Sequence, residues 1–257
     1  MSYNSSAAIR NHWSDIKLPQ WVEWIVVDNA STDDSVDAAR RLGAKCIALP
    51  KNLGFSAANN IGFNSSAGQY VAFLNPDVSP NIESLGAIEK FIDAHPRSLV
   101  APQLLNSDGT LQPNGRGLPY LAHKVMHRLQ PEALDGTYRM FAEDSATVKV
   151  DWLIGAVVMG LRQHLDSIGP WDSRFFVYYE DSDLGLRNAL VGGDSFVLGN
   201  HRWEHGWARD TKGFRMRPWI LEIRSMIRFY ARYPRLAFPP SRKPAKMSFT
   251  PRDQTES

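Results

Sequence analysis

The 257-residue chain is poor in several things, and each absence narrows the options. It has one cysteine, Cys46, so an internal disulfide is excluded and a reducing compartment suits it. Cys46 lies in the apolar run AKCIALP and reads as a buried structural thiol. No stretch approaches the roughly 18–20 apolar residues of a membrane span. The opening MSYNSSAAIRNHW lacks an apolar signal core, so a cytoplasmic protein is expected unless it attaches to a surface. Charge is nearly balanced, 29 Lys and Arg against 27 Asp and Glu, which gives no basic excess to recruit nucleic acid. There is no Gly-rich loop bearing Lys or Arg to cradle a triphosphate, which argues against a nucleotidyltransferase. No internal repeat is visible.

What is present is a globular composition, 43% hydrophobic and 22% charged, enough for a sizeable core. Short β-like runs alternate with helical patterns. WIVVD (residues 24–28), KCIALP and YVAFLN (residues 70–75) read as strands. DDSVDAARRLG, SAANNIGFNSSAG and IESLGAIEKFIDAH read as helices, the last with Ile82, Leu85, Ile88 and Ile92 on one face. LVAPQ reads as a further strand. This alternation predicts an α/β fold with a largely parallel sheet covered on both faces. Residues 106–145 are rich in Gly, Pro and polar residues and read mainly as loop. VKVDWLIGAVVMGL is strand-like. SFVLGN and HRWEHGW follow an acidic segment. The spacing then predicts a helix over 218–233, with Ile220, Ile223, Ile227 and Tyr230 as its apolar stripe and Arg217, Arg224, Arg228 and Arg232 on a shared face. That helix either buries the stripe beside a solvated basic face or meets an anionic membrane. Residues 235–257 read as a disordered basic, Pro-rich tail.

In a parallel sheet, ligands bind beyond the carboxyl ends of the strands. Asp28 and Asn29 end one strand, and Asn75 and Asp77 sit just past another. Such groups hydrogen-bond a base or ribose, or hold a divalent cation through oxygen. The plainer alternative is turn formation and helix capping. Asn52 and Gly54 precede a helix whose start could face a phosphate. Glu180, Asp181 and Asp183 crowd into four positions between an aromatic run and a helix. Asp181 or Ser182 could cap that helix. Neighbouring carboxylates beside apolar groups also raise one another's proton affinity, which suits a general base. His201 and His205 follow downstream, as structural residues or as ligands.

In order, VVDNASTDDS, NLGFSAANNIG, YVAFLNPDV, DWLIGAVVMGLR, GPWDSRFFVYYEDSDLGLR and HGW resemble family 2 glycosyltransferases of the GT-A fold, especially bacterial rhamnosyltransferase-like members. The resemblance covers roughly residues 3–233. It implies one domain over residues 1–234, with a nucleotide-binding part to about residue 103 and an acceptor and catalytic part beyond. It implies that Tyr3, Asn4, Asp28, Asn29, Asn60 and Asn75 contact the nucleotide sugar. Asp77 and His205 would hold Mg2+ or Mn2+, Asp181 would be the catalytic base, and Trp152, Gly155 and Glu180 would border the acceptor. Asp183 and Arg187 would support the base. The implied reaction is an inverting transfer of a sugar from a nucleoside-diphosphate donor such as dTDP-rhamnose. The acceptor would be a glycan or lipid-linked glycan of the cell surface, met at the inner face of the cytoplasmic membrane.

Two features depart from the family pattern. NPD stands where Asp-x-Asp is frequent, so Asn75 replaces the first acid. The family usually opens with an apolar strand of which only Tyr3 and Asn4 match the end. The expectation is exposed backbone and apolar flanks in neighbouring strands, and higher expression and activity when an upstream apolar segment is supplied. The alternative function is an inactive sugar-nucleotide-binding remnant.

Overall fold

The computed structural model describes residues 1–206 and 216–237. The expectations for Trp207, for the Arg217 side chain and for the tail beyond residue 237 lie outside the described residues. α1 (Ser6–Trp13) leads to β1 (Ile25–Asp28), α2 (Ser35–Arg41), β2 (Lys45–Ala48), α3 (Phe55–Ser65) and β3 (Tyr70–Leu74). β4 (Val78–Ser79), α4 (Leu85–Ala94) and β5 (Ser98–Leu105) follow. The stretch read as loop holds β6 (Leu111–Gln112), β7 (Gly115–Arg116), α5 (Leu121–Leu129) and β8 (Arg139–Met140). The single run expected next divides into β9 (Thr147–Val150), β10 (Trp152–Leu153) and β11 (Val157–Leu161). The order closes with α6 (Arg162–Ile168), α7 (Glu180–Leu190), β12 (Asp194–His205) and α8 (Met216–Arg232).

The main sheet runs β3-β11-β5-β12-β4, with β6 beside β5 and β9 beside β12. β5 and β12 are parallel, and β11 lies antiparallel between β3 and β5. The long strands β3, β5 and β12 therefore point one way, and their carboxyl ends share one edge. β12 merges the two runs expected separately, and its register shifts between Leu198 and Arg202. That irregularity begins where Pro102 pairs with Leu198, which fits a residue with no N–H to give to the ladder. Ile88 and Ile92 of α4 are fully buried against this sheet, as their spacing predicts.

β1 and β2 form a separate parallel pair. Between β1 and β3 lies an apolar cavity of about 490 Å3, whose lining includes Trp24, Ile25, Val27, Phe63, Val71 and Phe73. Ser2 bridges the open edge of β1, donating its N–H to Val27 O at 2.8 Å and accepting from Asn29 N–H at 2.8 Å.

A second core packs Phe175, Tyr179 and Leu186 against Phe229, Tyr233 and Leu236. It reverses the expected facing of α8. Ser225 and Phe229 point inward, while Ile220, Ile223 and Ile227 are 47%, 45% and 62% exposed. It also corrects the start of the expected tail, because Pro234–Leu236 form a 3-10 turn with Leu236 fully buried. The cause is an ionic clamp. Fully buried Asp183 accepts from Arg187 Nε at 2.7 Å, from Arg232 Nη1 at 3.0 Å and from the Tyr233 hydroxyl at 2.9 Å. Arg187 also donates to the carbonyls of Ile168, Gly169 and Pro170, so one carboxyl ties α7 to α8 and to the loop ahead of it. α7 meets β10 closely because Gly185 has no side chain; a Cβ there would lie 2.3 Å from Trp152 Cβ.

Removing one member of a buried ionic cluster strands the others. Asp183→Ala should lower the unfolding free energy by about 3–5 kcal/mol, measured by urea titration, with α8 becoming protease-sensitive before the main sheet.

Candidate active site

Asp28 and Asn29 end β1, and both are buried. Asp28 accepts from the Ser2 hydroxyl at 2.9 Å and from Ser31 N–H at 2.8 Å. Asn29 donates to Gly54 O at 3.1 Å and accepts from Leu53 N–H at 2.7 Å, so it pins the NLGF loop to the strand end. Asn4 accepts from Thr32 N–H at 2.8 Å, and Tyr3 beside it is 44% exposed. At this end Tyr3 and Asn4 are exposed, while Asp28 and Asn29 form a buried floor. Asn60 is differently employed: its amide donates to Trp171 O at 2.7 Å and accepts from Trp171 N–H at 3.1 Å. The structure thus gives Asn60 a clasping part between α3 and the loop of Trp171.

Asn75 follows β3, and its N–H donates to Ala156 O at 2.9 Å. Asp77 lies in the turn before β4. Its carbonyl accepts from Gly206 N–H at 2.8 Å, which ties the end of β12 to this turn and sets His205 beside it. His205 Nε2 is 3.4 Å from Asp77 Oδ1, and Nδ1 is 2.7 Å from Gln112 Oε1. Gln112 Nε2 is spent on Asn106 Oδ1 at 3.1 Å, which turns its oxygen toward the ring. Nδ1 therefore carries the proton in this network, and Nε2 presents a lone pair. Nε2 is buried with no hydrogen-bond partner among the described residues. A lone pair facing a carboxylate oxygen is repulsive until a cation or a proton sits between them. Asp77 and His205 thus fit a divalent ion through one oxygen and one nitrogen, with Gln112 orienting the imidazole from behind. No cluster of three or more His, Cys, Asp or Glu occurs among the described residues, so ligand oxygens would complete such a shell.

The three acids of α7 have three different surroundings. They occupy its first turn, where the helix dipole favours negative charge. Neither Asp181 nor Ser182 caps the helix: Tyr179 holds that position without a side-chain cap. Tyr178 and Tyr179 have φ of +71° and +69°, a left-handed pair that costs about 1–3 kcal/mol per residue. This turn drives Glu180 inward. Burial first, then the charge of Asp181, pushes its carboxyl up to about 8, and Oε2 has no partner among the described residues. Crowding thus raises proton affinity at Glu180. Asp181 is half-buried, accepting from Ser182 N–H at 2.7 Å through Oδ1 and from Gly155 N–H at 3.4 Å through Oδ2. Glu180 and Asp181 line a polar pocket of about 150 Å3 with Lys124, Tyr178, Tyr179 and Glu222. Trp152 is buried, and its Nε1 donates to Gly117 O at 2.8 Å.

These places are joined by direct contacts. Asn29 holds Gly54, and Phe55 N–H donates to Phe176 O at 2.7 Å. A Cβ on Gly155 would lie 3.3 Å from the Phe55 ring, and Gly155 N–H faces Asp181. Ala156, next in sequence, accepts from Asn75 N–H. Gly54 has φ of +88°, and a Cβ there would come within 2.4 Å of Phe176 O, so this corner requires glycine. The ends of β1 and β3 and the start of α7 thus form one contiguous region.

A family model described as glycosyl transferase family 2 matches residues 2–154. The chain belongs to that family. This family 2 glycosyltransferase is 29% identical over 212 residues to the N-acetylglucosaminyl-diphospho-decaprenol L-rhamnosyltransferase of Mycobacterium tuberculosis, covering 74% of this chain and 69% of that protein. It is 26% identical over 202 residues to the low-salt glycan biosynthesis hexosyltransferase Agl10 of Haloferax volcanii, covering 73% of this chain and 59% of that one. In fold it is similar to the mannosyltransferase PcManGT of Pyrobaculum calidifontis, solved with GDP-Man and Mn2+ (TM-score 0.60, 17% identity, 91% of this chain and 62% of that one). It is also similar to GalNAc-T7, solved with UDP, GalNAc and Mn2+ (TM-score 0.59, 14% identity, 87% of this chain). It spans 47% of the GalNAc-T7 chain. The fold is thus a GT-A-type mixed α/β sheet.

Two residues of this glycosyltransferase site escaped sequence reading. Gln112 and Lys124 both lie in the stretch read as loop. Lys124 Nζ sits 4.4 Å over the Trp152 ring and 4.6 Å over the Tyr179 ring, and donates to Ser182 Oγ at 3.1 Å. Burial pulls its ammonium down to about 8, against the charge of Asp181, which pushes the other way. The helical spacing of LAHKVMHRL was the available signal, but Lys124 gains meaning only where α5 lands beside α7.

An acid whose folded pKa is raised stabilises the fold fully at low pH. It loses that contribution as pH climbs from the ordinary glutamate value of about 4.3 through the folded value. Glu180→Gln, which cannot ionise, should therefore flatten the decline of Tm between about pH 5 and pH 9, read by scanning calorimetry across that range.

Proposed function

We propose that this glycosyltransferase moves a sugar, L-rhamnose from dTDP-rhamnose, to a hydroxyl of a lipid-linked glycan with inversion, at the inner face of the cytoplasmic membrane. The observation that carries the reading is the placement of Asp181. Its carboxyl is half-buried at the mouth of a polar pocket, and Gly155 connects it to the strand ends. The Mycobacterium tuberculosis relative, an N-acetylglucosaminyl-diphospho-decaprenol L-rhamnosyltransferase, supports the sugar and the lipid-linked acceptor.

In this reading Asp181 accepts the acceptor hydroxyl proton as that oxygen bonds to the anomeric carbon. The bond from that carbon to the diphosphate oxygen breaks, and the nucleoside diphosphate leaves with the electron pair. Gly155 N–H orients one oxygen of the base and Ser182 N–H the other. Lys124, held between two aromatic rings, balances negative charge at the start of α7. Tyr3 offers an exposed ring to the base of the nucleotide, and Asp28 and Asn29 hold the backbone around it. Trp152 and Glu180 wall the acceptor side. Asp77 and His205 would hold Mg2+ or Mn2+, which when bound supplies positive charge beside the departing diphosphate. Asn75, at the end of β3, leaves Asp77 as the acid of that motif.

Asp181→Asn should cut transfer by about 100- to 10,000-fold while leaving Tm within a degree or so, as scored by nucleoside diphosphate release and a thermal melt. Retained turnover would remove Asp181 as the base. A thermal-shift series with dTDP and Mn2+ tests the cation site separately. The wild type should gain several degrees with both together, and His205→Ala should respond equally with and without the metal.

A further inference from the structure

The reversed facing of α8 leaves a large apolar surface with no core to enter. Ile220, Ile223 and Ile227 recur at three- and four-residue spacing, so they form one stripe, and Trp219 at 43% exposure borders it. The buried face of the same helix is already supplied by Ser225 and Phe229. α5 also exposes apolar side chains: Val125, Met126 and Leu129 are 53%, 42% and 74% exposed. Long side chains link the two helices. Arg128 of α5 contacts Glu222 of α8 at 2.6 and 2.7 Å, and its guanidinium lies 4.6 Å over the Trp219 ring. Exposed Arg224 and Arg228 flank the apolar stripe, the latter also donating to Arg174 O.

We propose that the outer face of α5 and α8 is a membrane-docking surface, on which the enzyme lies against an anionic lipid bilayer. This deepens the reading above and rests on its lipid-linked acceptor. Three observations select a bilayer as the occupant. The apolar stripe is edged by Arg224 and Arg228, and Trp219 beside it lies under Arg128 of α5, the pattern of a helix lying in a headgroup layer. Both helices also border the acceptor pocket, Lys124 of α5 and Glu222 of α8 lining it. A hydroxyl carried on a lipid would thus arrive at the edge nearest Asp181. No helix among the described residues is long and apolar enough to cross a membrane, so contact through these helices is peripheral.

The test uses the full chain and sedimentation with vesicles of phosphatidylcholine, with and without roughly 30% phosphatidylglycerol, at low and high salt. The wild type should partition onto anionic vesicles, more at low salt. Ile223→Glu with Ile227→Glu should cut binding about tenfold or more at unchanged Tm, and Arg224→Glu should reduce mainly its salt-sensitive part. Donor turnover with a water-soluble acceptor should be the same for the wild type and the double variant, and turnover on a vesicle-borne acceptor should fall in the variant. If transfer failed with every acceptor, the proposed function would fall while sedimentation still judged the surface. The docking proposal is overturned if the wild type stays in solution, or if the double variant sediments equally. It is also overturned if the wild type is a dimer that the double variant dissolves without any vesicle binding, since the face would then join two copies.

Discussion

The carboxyl of Asp183 is the pin that holds α7 and α8 together. It has no exposure to water, and burying a carboxylate in this way costs several kcal/mol unless partners compensate. Arg187, Arg232 and Tyr233 supply that compensation from two helices. The clamp therefore fixes how α8 lies on α7, and Arg187 fixes the loop of residues 168–170 that leads toward the aromatic turn. Once α7 is held, its first turn can point Glu180 and Asp181 in fixed directions. The strained backbone at Tyr178 and Tyr179 persists because this packing determines its surroundings on every side.

Three neighbouring acids thus divide the work by environment. Asp183 is neutralised by arginine, Glu180 is driven toward its protonated form by burial, and Asp181 stays at the pocket mouth with two backbone N–H groups for company. Carboxyls a few positions apart become a rivet, a buried acid and a half-exposed group at a pocket. On the donor side the division is between Asp28 and Asn29, whose bonds hold the backbone, and the Asp77–His205 pair, whose facing oxygen and nitrogen leave room for a cation.

Much of the fold was legible. β1, β2, β3, α2, α3 and α4 lie within a few residues of where periodicity and end signals put them, because each carries a local pattern with its own end signals. The strand-end acids were legible for the same reason, since an apolar run that stops at an acid marks its own carboxyl end. Residues 106–145 were misread because two-residue strands such as β6 and β7 carry no period of their own; their backbone pairs with partners brought by the rest of the chain. The amide of Asn60 closes on Trp171, a partner 111 residues away that no local pattern announces.

The amino-acid order by itself determined an α/β chain with acids at two strand ends and a knot of carboxyls opening a helix. It also determined that α8 carries an isoleucine stripe and an arginine edge. Tertiary structure alone decided which way that stripe faces, which carboxyl is buried, and that Lys124 and Gln112 belong to the site. The physical reason is that periodicity records which side chains share a face, whereas burial and proton affinity depend on what packs against that face from distant parts of the chain.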